Sequence, residues 1–287
     1  MSAVSETRRP RGKSGLGNDS AAYEGSARQV RAGYRTGGGK MSIFEDERPF
    51  LDALPPHERK ALTALGRPKS YAPGDVLLLE SDTTSFVVAI LSGWAMVSVE
   101  TERGVRLILA LRGAGEIVGD QAAIDHRPRS ATITALGRMN VVVIPADRFR
   151  AYVMARPAAG VLLMRQLSSR LRSSDDERRS LASEKVLQRL AARLVELAER
   201  TGRAVDDGIA VDLPLPQHDI AAAVGATREA VAKALRFLRD QGAVRTASRR
   251  FVVVDLGLLR LLAESGTTGE RAGERSARGP TESPPTV

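Results

Sequence analysis

The stretch from Gln217 to Val254, QHDIAAAVGATREAVAKALRFLRDQGAVRTASRRFVVV, permits very few local structures. Ile220, Ala221, Val224, Val231, Leu235 and Leu238 recur at helical spacing on both sides of Gly225, so two helices should pack across a short turn. Thr227 is a natural N-cap for the second helix, because its hydroxyl can accept from an orphaned N–H of the first turn. Two β-type runs follow, Val244 to Ala247 and Phe251 to Val254, around Ser248-Arg249, which is the pattern of a hairpin wing. The first turn of the second helix presents Arg228 and Glu229, and the next turn presents Lys233.

Such a winged helix-turn-helix suits duplex DNA. Arg can bond bidentately to guanine, Glu can accept from cytosine, and Lys can reach guanine or a phosphate. The candidate DNA-binding residues are Gln217, Thr227, Arg228, Glu229, Lys233, Arg236, Arg249 and Arg250. Arg236, Arg239, Arg245, Arg249 and Arg250, set against only Asp219, Glu229 and Asp240, would anchor on phosphates without reading sequence.

Upstream the pattern is different. From Lys69 to Ile144 short β-branched runs alternate with Gly turns: Val76–Leu79, Phe86–Leu91, Trp94–Val99, Arg106–Leu111, Ile117–Val118, Ala131–Ala135 and Asn140–Ile144. Their even spacing indicates an antiparallel β barrel or sandwich. Before them, Ala61, Leu62 and Leu65 mark a short helix over Pro55 to Leu65. After them a helical region begins near Ala146, breaks at Pro157 and runs from about Ala158 to Arg200. Met164, Leu167, Leu171 and Leu181 fit a heptad seam interrupted by Ser174 and Arg178, so a two-helix interface and a helix packed on its own domain both stay open.

The 287 residues allow two domains, and a formal charge of +9 favours an anionic partner. Residues 1–40 carry eight basic side chains against three acidic ones and lack apolar periodicity, so they should be disordered. This arm is either a DNA-binding tail or an upstream extension before a start at Met41. Residues 265–287, polar and rich in Pro and Gly, should also be disordered. With no cysteine, disulfides, thiolate metal sites and cysteine-ligated clusters are excluded. His57, His126 and His218 are far apart, so no metal site is expected. No run approaches the ~20 apolar residues of a membrane span, and no signal peptide is evident, so a cytoplasmic protein is expected. No nucleophile–base pair or GxGxxG–helix pattern suggests an enzyme.

The order of β barrel, long helix and winged helix-turn-helix resembles the cyclic-AMP receptor protein / FNR family of bacterial transcription regulators. The resemblance covers roughly residues 48–264 and rests on ERPFLDALPPHERKAL, SGWAMVSVE, GAGEIVGDQAAIDHRPRSATITAL and VGATREAVAKALRFL. It implies an α+β fold: a cyclic-nucleotide-binding-type β-roll (jelly-roll) domain over 48–157, a dimerisation helix and hinge over 158–186, and a winged helix-turn-helix domain over 187–264. It also implies a homodimer on a palindromic operator with TGTGA-type half-sites, and RNA polymerase as a partner. An effector, cAMP or cGMP, would sit on Gly119, Asp120, Gln121, Arg129 and Ser130, with Ser174 and Asp175 of the long helix reaching the purine across the dimer. Asp120 is one methylene shorter than the family's Glu, and the loop to Arg129 is one residue short of the founding member, which puts cAMP itself in doubt. The other reading is a ligand-independent regulator whose β-roll is a scaffold, with Arg129 paired to Asp120. The missing cysteines exclude an iron–sulfur sensor, and the histidine positions argue against a haem sensor.

Overall fold

The computed structural model describes residues 42–44, 48–102, 104–211, 217–247 and 250–265. The arm and the tail lie outside this set. Among the described residues the first elements are α1 (Phe50–Ala53) and α2 (Pro56–Thr63), followed by an eight-stranded roll: β1 (Arg67–Tyr71), β2 (Val76–Leu78), β3 (Phe86–Ser92), β4 (Ala95–Glu100), β5 (Arg106–Arg112), β6 (Ile117–Val118), β7 (Thr132–Ala135) and β8 (Met139–Pro145). A short helix, α3 (Asp120–Asp125), lies between β6 and β7.

The roll consists of two antiparallel four-stranded sheets, ordered β1-β8-β3-β6 and β2-β7-β4-β5. Val88 and Ile90 of β3 point between the sheets, with Leu78, Ile133 and Met139. Val87 and Ala89 point the other way, against Phe50, Leu62 and Phe149 of the flanking helices. A strand covered on both faces loses the apolar–polar alternation, which is why FVVAILS reads as one apolar run. The sequence reading missed β1, whose RPKSY buries only Tyr71. This edge strand is held by its backbone ladder to β8, from Arg67 opposite Val143 to Tyr71 opposite Met139.

After α4 (Ala146–Met154) comes the long helix α5 (Pro157–Ser183), with Pro157 in the first turn, where its missing N–H leaves no gap. It stops well short of Arg200. Glu184 is extended (φ −101°, ψ 145°), and a new helix, α6 (Val186–Thr201), begins beyond Lys185. Gln188 Oε1 accepts from the Lys185 N–H at 2.7 Å, and Arg189 donates to the Glu184 carbonyl at 2.6 Å. Both partners of the break lie within a few residues, but the apolar spacing continues across it and hides it.

The expected seam on α5 is also revised. Leu167 packs into the roll's own core, whereas Val161, Met164 and Leu171 are 43%, 63% and 62% exposed and form the outward apolar face.

The C-terminal module contains α6, β9 (Gly202–Val205), β10 (Gly208–Val211), α7 (Gln217–Val224), α8 (Arg228–Asp240), β11 (Val244–Ala247), β12 (Arg250–Val253) and α9 (Leu256–Glu264). The wing is half of a four-stranded sheet, β11-β12-β10-β9. Neither the β9–β10 hairpin nor α9 was expected. The hairpin is too short to set up a period, and α9 is capped by Asp255, whose carboxylate accepts from the Leu258 N–H at 2.8 Å. No helix among the described residues is long and apolar enough to cross a membrane.

Candidate functional site

A cleft of about 390 Å³ lies between the roll and α5, lined by Gly119, Asp120, Gln121, Arg129 and Ser130 on one side and Arg170 and Ser174 on the other. The β6–α3 junction shapes it. Gly119 has φ +79°, and a Cβ there would lie 2.7 Å from Arg129 Nη1 and 3.0 Å from the Phe86 carbonyl, so only glycine fits.

Arg129 is 4% exposed. Its Nη1 donates to the Gly119 carbonyl at 2.9 Å and Nη2 to the Phe86 carbonyl at 2.8 Å, while the guanidinium lies 4.9 Å from the centre of the Phe86 ring. Burial draws its pKa below the ordinary arginine value, and the carboxylates of Asp82 and Asp120 oppose that shift. Arg129 Nε is buried with no partner, the kind of orphan donor that an anion can satisfy.

Asp120 does not pair with Arg129. Its carboxylate is 1% exposed and receives both oxygens' bonds from Arg170 Nη1, at 3.1 and 2.9 Å, while Arg170 Nη2 donates to the Ile117 carbonyl at 3.0 Å. Arg170 escaped the sequence reading, although it stands four residues before Ser174 and so shares that helix face. Gln121 and Ser130 meet across the mouth, Ser130 Oγ donating to Gln121 Oε1 at 3.1 Å. Ser174 lines the cleft and donates back to the Arg170 carbonyl at 3.0 Å. Asp175 lies outside the lining and pairs with Arg178 at 3.0 Å. The cleft falls in the size range of small-molecule sites and collects Arg112, Arg127, Arg129 and Arg170 with Asp120, Asp125 and Glu177, a set suited to an anionic, hydroxylated ligand.

The second candidate region is α7–α8. Gly225 makes the turn at φ +62°, and Thr227 Oγ accepts from the Ala230 N–H at 3.2 Å, as its position implied. Val231, Leu235 and Leu238 are buried, so Arg228, Glu229, Lys233 and Arg236 share the exposed side of α8. Glu229 is already engaged: its own backbone N–H and the Thr227 hydroxyl hold its pKa below the ordinary carboxylate value, helped by Arg228. Any bond to a base would compete with these contacts.

Arg245 pairs with Asp207, and Arg239 donates to Thr246 Oγ1 at 3.3 Å, so two of the expected phosphate anchors have internal partners. Both contacts are solvent-exposed and easily exchanged. Gln217 and Arg250 lie in α7 and β12, their side chains outside the described set, as is Arg249 altogether. The sequence reading also missed Arg189 and Arg193 of α6, which are 6% and 0% exposed. They cap the C-terminal end of α7, Arg189 Nε reaching the Val224 carbonyl at 3.0 Å and Arg193 Nη2 the Ala223 carbonyl at 3.2 Å.

Two family descriptions match this arrangement in the same order. Residues 68–156 match "Cyclic nucleotide-binding domain", and residues 188–262 match "Crp-like helix-turn-helix domain". The chain belongs to the Crp/Fnr family. As a Crp/Fnr protein it is a DNA-binding transcription regulator with a cyclic nucleotide-binding domain. It is 28% identical to the "CRP-like cAMP-activated global transcriptional regulator" of Mycobacterium tuberculosis (strain ATCC 25618 / H37Rv) over 72% of this chain and 92% of the relative. With the "Cyclic AMP receptor protein" of Thermus thermophilus it shares 25% identity over 75% of this chain and 96% of the relative. Among solved structures, a CRP/FNR-family transcriptional regulator from Thermus thermophilus aligns with a TM-score of 0.59 at 25% identity, covering 70% of this Crp/Fnr chain and all (100%) of that one. The c-di-GMP-responsive regulator CLP from Xanthomonas campestris aligns at 0.64 with 19% identity, over 69% of this chain and 99% of that one, and so shares the fold.

Proposed function

We propose that this regulator acts as a homodimer on a palindromic operator and that a cyclic nucleotide in the roll, cAMP or cGMP, controls its DNA binding. The observation that carries the reading is the single cleft in which Gly119–Gln121 and Arg129–Ser130 of the roll face Arg170 and Ser174 of the long helix. A cyclic phosphate would meet the buried guanidinium of Arg129 and a ribose hydroxyl would meet Asp120, with Gln121 and Ser130 at the mouth. Ser174 and Asp175 would reach the purine across the dimer. The outward face of Val161, Met164 and Leu171 gives two copies of the helix an apolar seam, so a ligand against that helix biases the separation of the two α8 helices. Twofold symmetry then sets half-sites ~34 Å apart, one turn of duplex. Regulation of transcription makes RNA polymerase the protein partner.

One observation favours a second reading. Two of the three Arg129 nitrogens and both Asp120 oxygens, the groups that would grip the nucleotide, already have partners, in backbone carbonyls and in Arg170. A ligand-independent regulator with the roll as scaffold would look like this. Calorimetric titration with cAMP and with cGMP, followed by a DNA-shift assay with each, separates the two. Millimolar nucleotide with no heat and no change in operator affinity would leave the scaffold reading standing. Light scattering at monomer mass would refute the dimer.

A further inference from the structure

Ser42, Ile43 and Phe44 form a short strap with three attachments. On the roll, the Leu111 N–H donates to the Ile43 carbonyl at 2.7 Å, and Phe44 stands edge-on to Trp94, with ring centroids 5.4 Å apart at 83°. On the DNA-binding module, the Ser42 hydroxyl and the N–H groups of Ile43 and Phe44, each at 3.3 Å, converge on the carboxylate of Glu196 in α6. Third, all three strap residues line the candidate cleft, as does Glu177, which lies within electrostatic reach of Arg193 and Glu196. Ile43 and Phe44 are 1% and 4% exposed, so the strap is packed in place. Glu196 passes the connection on, accepting from the fully buried Arg193 at 2.5 Å, which in turn holds the end of α7.

The strap secures a contact that covers a surface the duplex needs. Met96, Ile108 and Leu111 of β4 and β5 share one apolar core with Ile220, Ala221 and Val224 of α7. In the first turn of α7, Asp219 is 5% exposed and 4.0 Å from Arg106 of β5. The first helix of a helix-turn-helix crosses the DNA backbone when bound, so its first turn has to be open to the phosphates. Here β5 is seated against it.

We propose that Ser42–Phe44 is an autoinhibitory strap: it fastens the helix-turn-helix module onto β5, and a ligand filling the cleft displaces it and frees α7. The inference rests on the DNA-binding reading of this module. The chain has one tryptophan, Trp94, so its emission reports directly on the strap.

In the test, the full-length wild type first selects a duplex from a random pool. Phe44→Ala and Ser42→Ala are then compared with it on that duplex without nucleotide, with circular dichroism confirming the fold. Phe44→Ala should red-shift the Trp94 emission and tighten ligand-free DNA binding about tenfold, and Ser42→Ala, which loses one charge-assisted bond, about threefold. Ser42→Ala keeps the test alive where Phe44→Ala does not fold. Folded variants with a changed Trp94 environment and wild-type or weaker DNA affinity overturn the strap alone. A wild type that selects no duplex overturns the DNA-binding reading and the strap with it. Cyclic AMP or cyclic GMP should shift the wild-type emission in the same direction, and no shift with either removes displacement by a cyclic nucleotide.

Discussion

The pairing of Asp120 with Arg170 gives the sharpest energetic test, because the roll and the long helix each contribute one charge. Asp120 is 1% exposed and receives two bonds from Arg170, whose side chain is 16% exposed. Replacing Arg170 by the similarly long Met strands a buried carboxylate, a change that typically destabilises by ~3–5 kcal/mol, and the residual exposure of Arg170 places the expected loss near ~3 kcal/mol. Asp120→Asn keeps the shape and leaves Arg170 its bond to Ile117, so ~1–2 kcal/mol is expected. If the two residues act as a pair, the double variant should fall short of the summed losses by ~1–3 kcal/mol. Urea unfolding followed through Trp94, which sits on the roll, measures all four proteins on the element that holds the pair. Additive losses within ~0.5 kcal/mol would refute the claim that this ion pair joins the roll to α5.

Gly119→Ala should destabilise the roll by ~1–3 kcal/mol and weaken nucleotide binding, since the new methyl meets Arg129 Nη1 at 2.7 Å on a backbone with φ +79°; an unchanged melting temperature would show that the junction relaxes freely. Arg228→Ala should lose ~1–3 kcal/mol of affinity and its preference at one G·C pair, whereas Arg236→Ala should weaken all sequences alike and reduce the salt slope by about one contact. Binding to a palindrome and its single-base variants checks both, and an Arg228→Ala protein with intact base preference removes α8 from the groove. Burial raises the pKa of Glu177 above 4.5, with Glu196 adding to the shift and Arg193 opposing it. The folded chain then holds this proton longer than the unfolded chain, so the stability it contributes is full below pH 4.5 and is lost as pH climbs through the raised value. Glu177→Gln should therefore gain on wild type as pH rises from 4.5 through the raised value, and a difference flat with pH argues against a raised carboxyl.

Much of the architecture was legible because its signals are local. The Thr227 cap and the positive φ of Gly225 depend on neighbours within four positions, and both lie where the sequence placed them. Most β runs of the roll carry their own turns, so their existence follows from propensity and spacing. Elements without such a signature were missed. β1 is a polar edge strand, defined by the partner β8, some seventy positions away. The end of α5 is written in a polar pair, Lys185 with Gln188, inside an apolar rhythm that does not pause.

In the candidate site, residue types were readable and their partners were not. Nothing near Asp120 indicates that Arg170, fifty positions on, takes both of its oxygens. Nothing near Arg129 indicates that its guanidinium turns to the carbonyls of Gly119 and Phe86. The strap is the extreme case: Ser42 meets Glu196 across 154 positions. Sequence by itself determined the modules, their order and the basic face of α8, since periodicity, capping and charge act within a turn or two of the chain. The tertiary structure alone decided which charges are paired, which helix face stays open and where the DNA-binding module is seated. Those outcomes depend on which distant surfaces close against each other to exclude water.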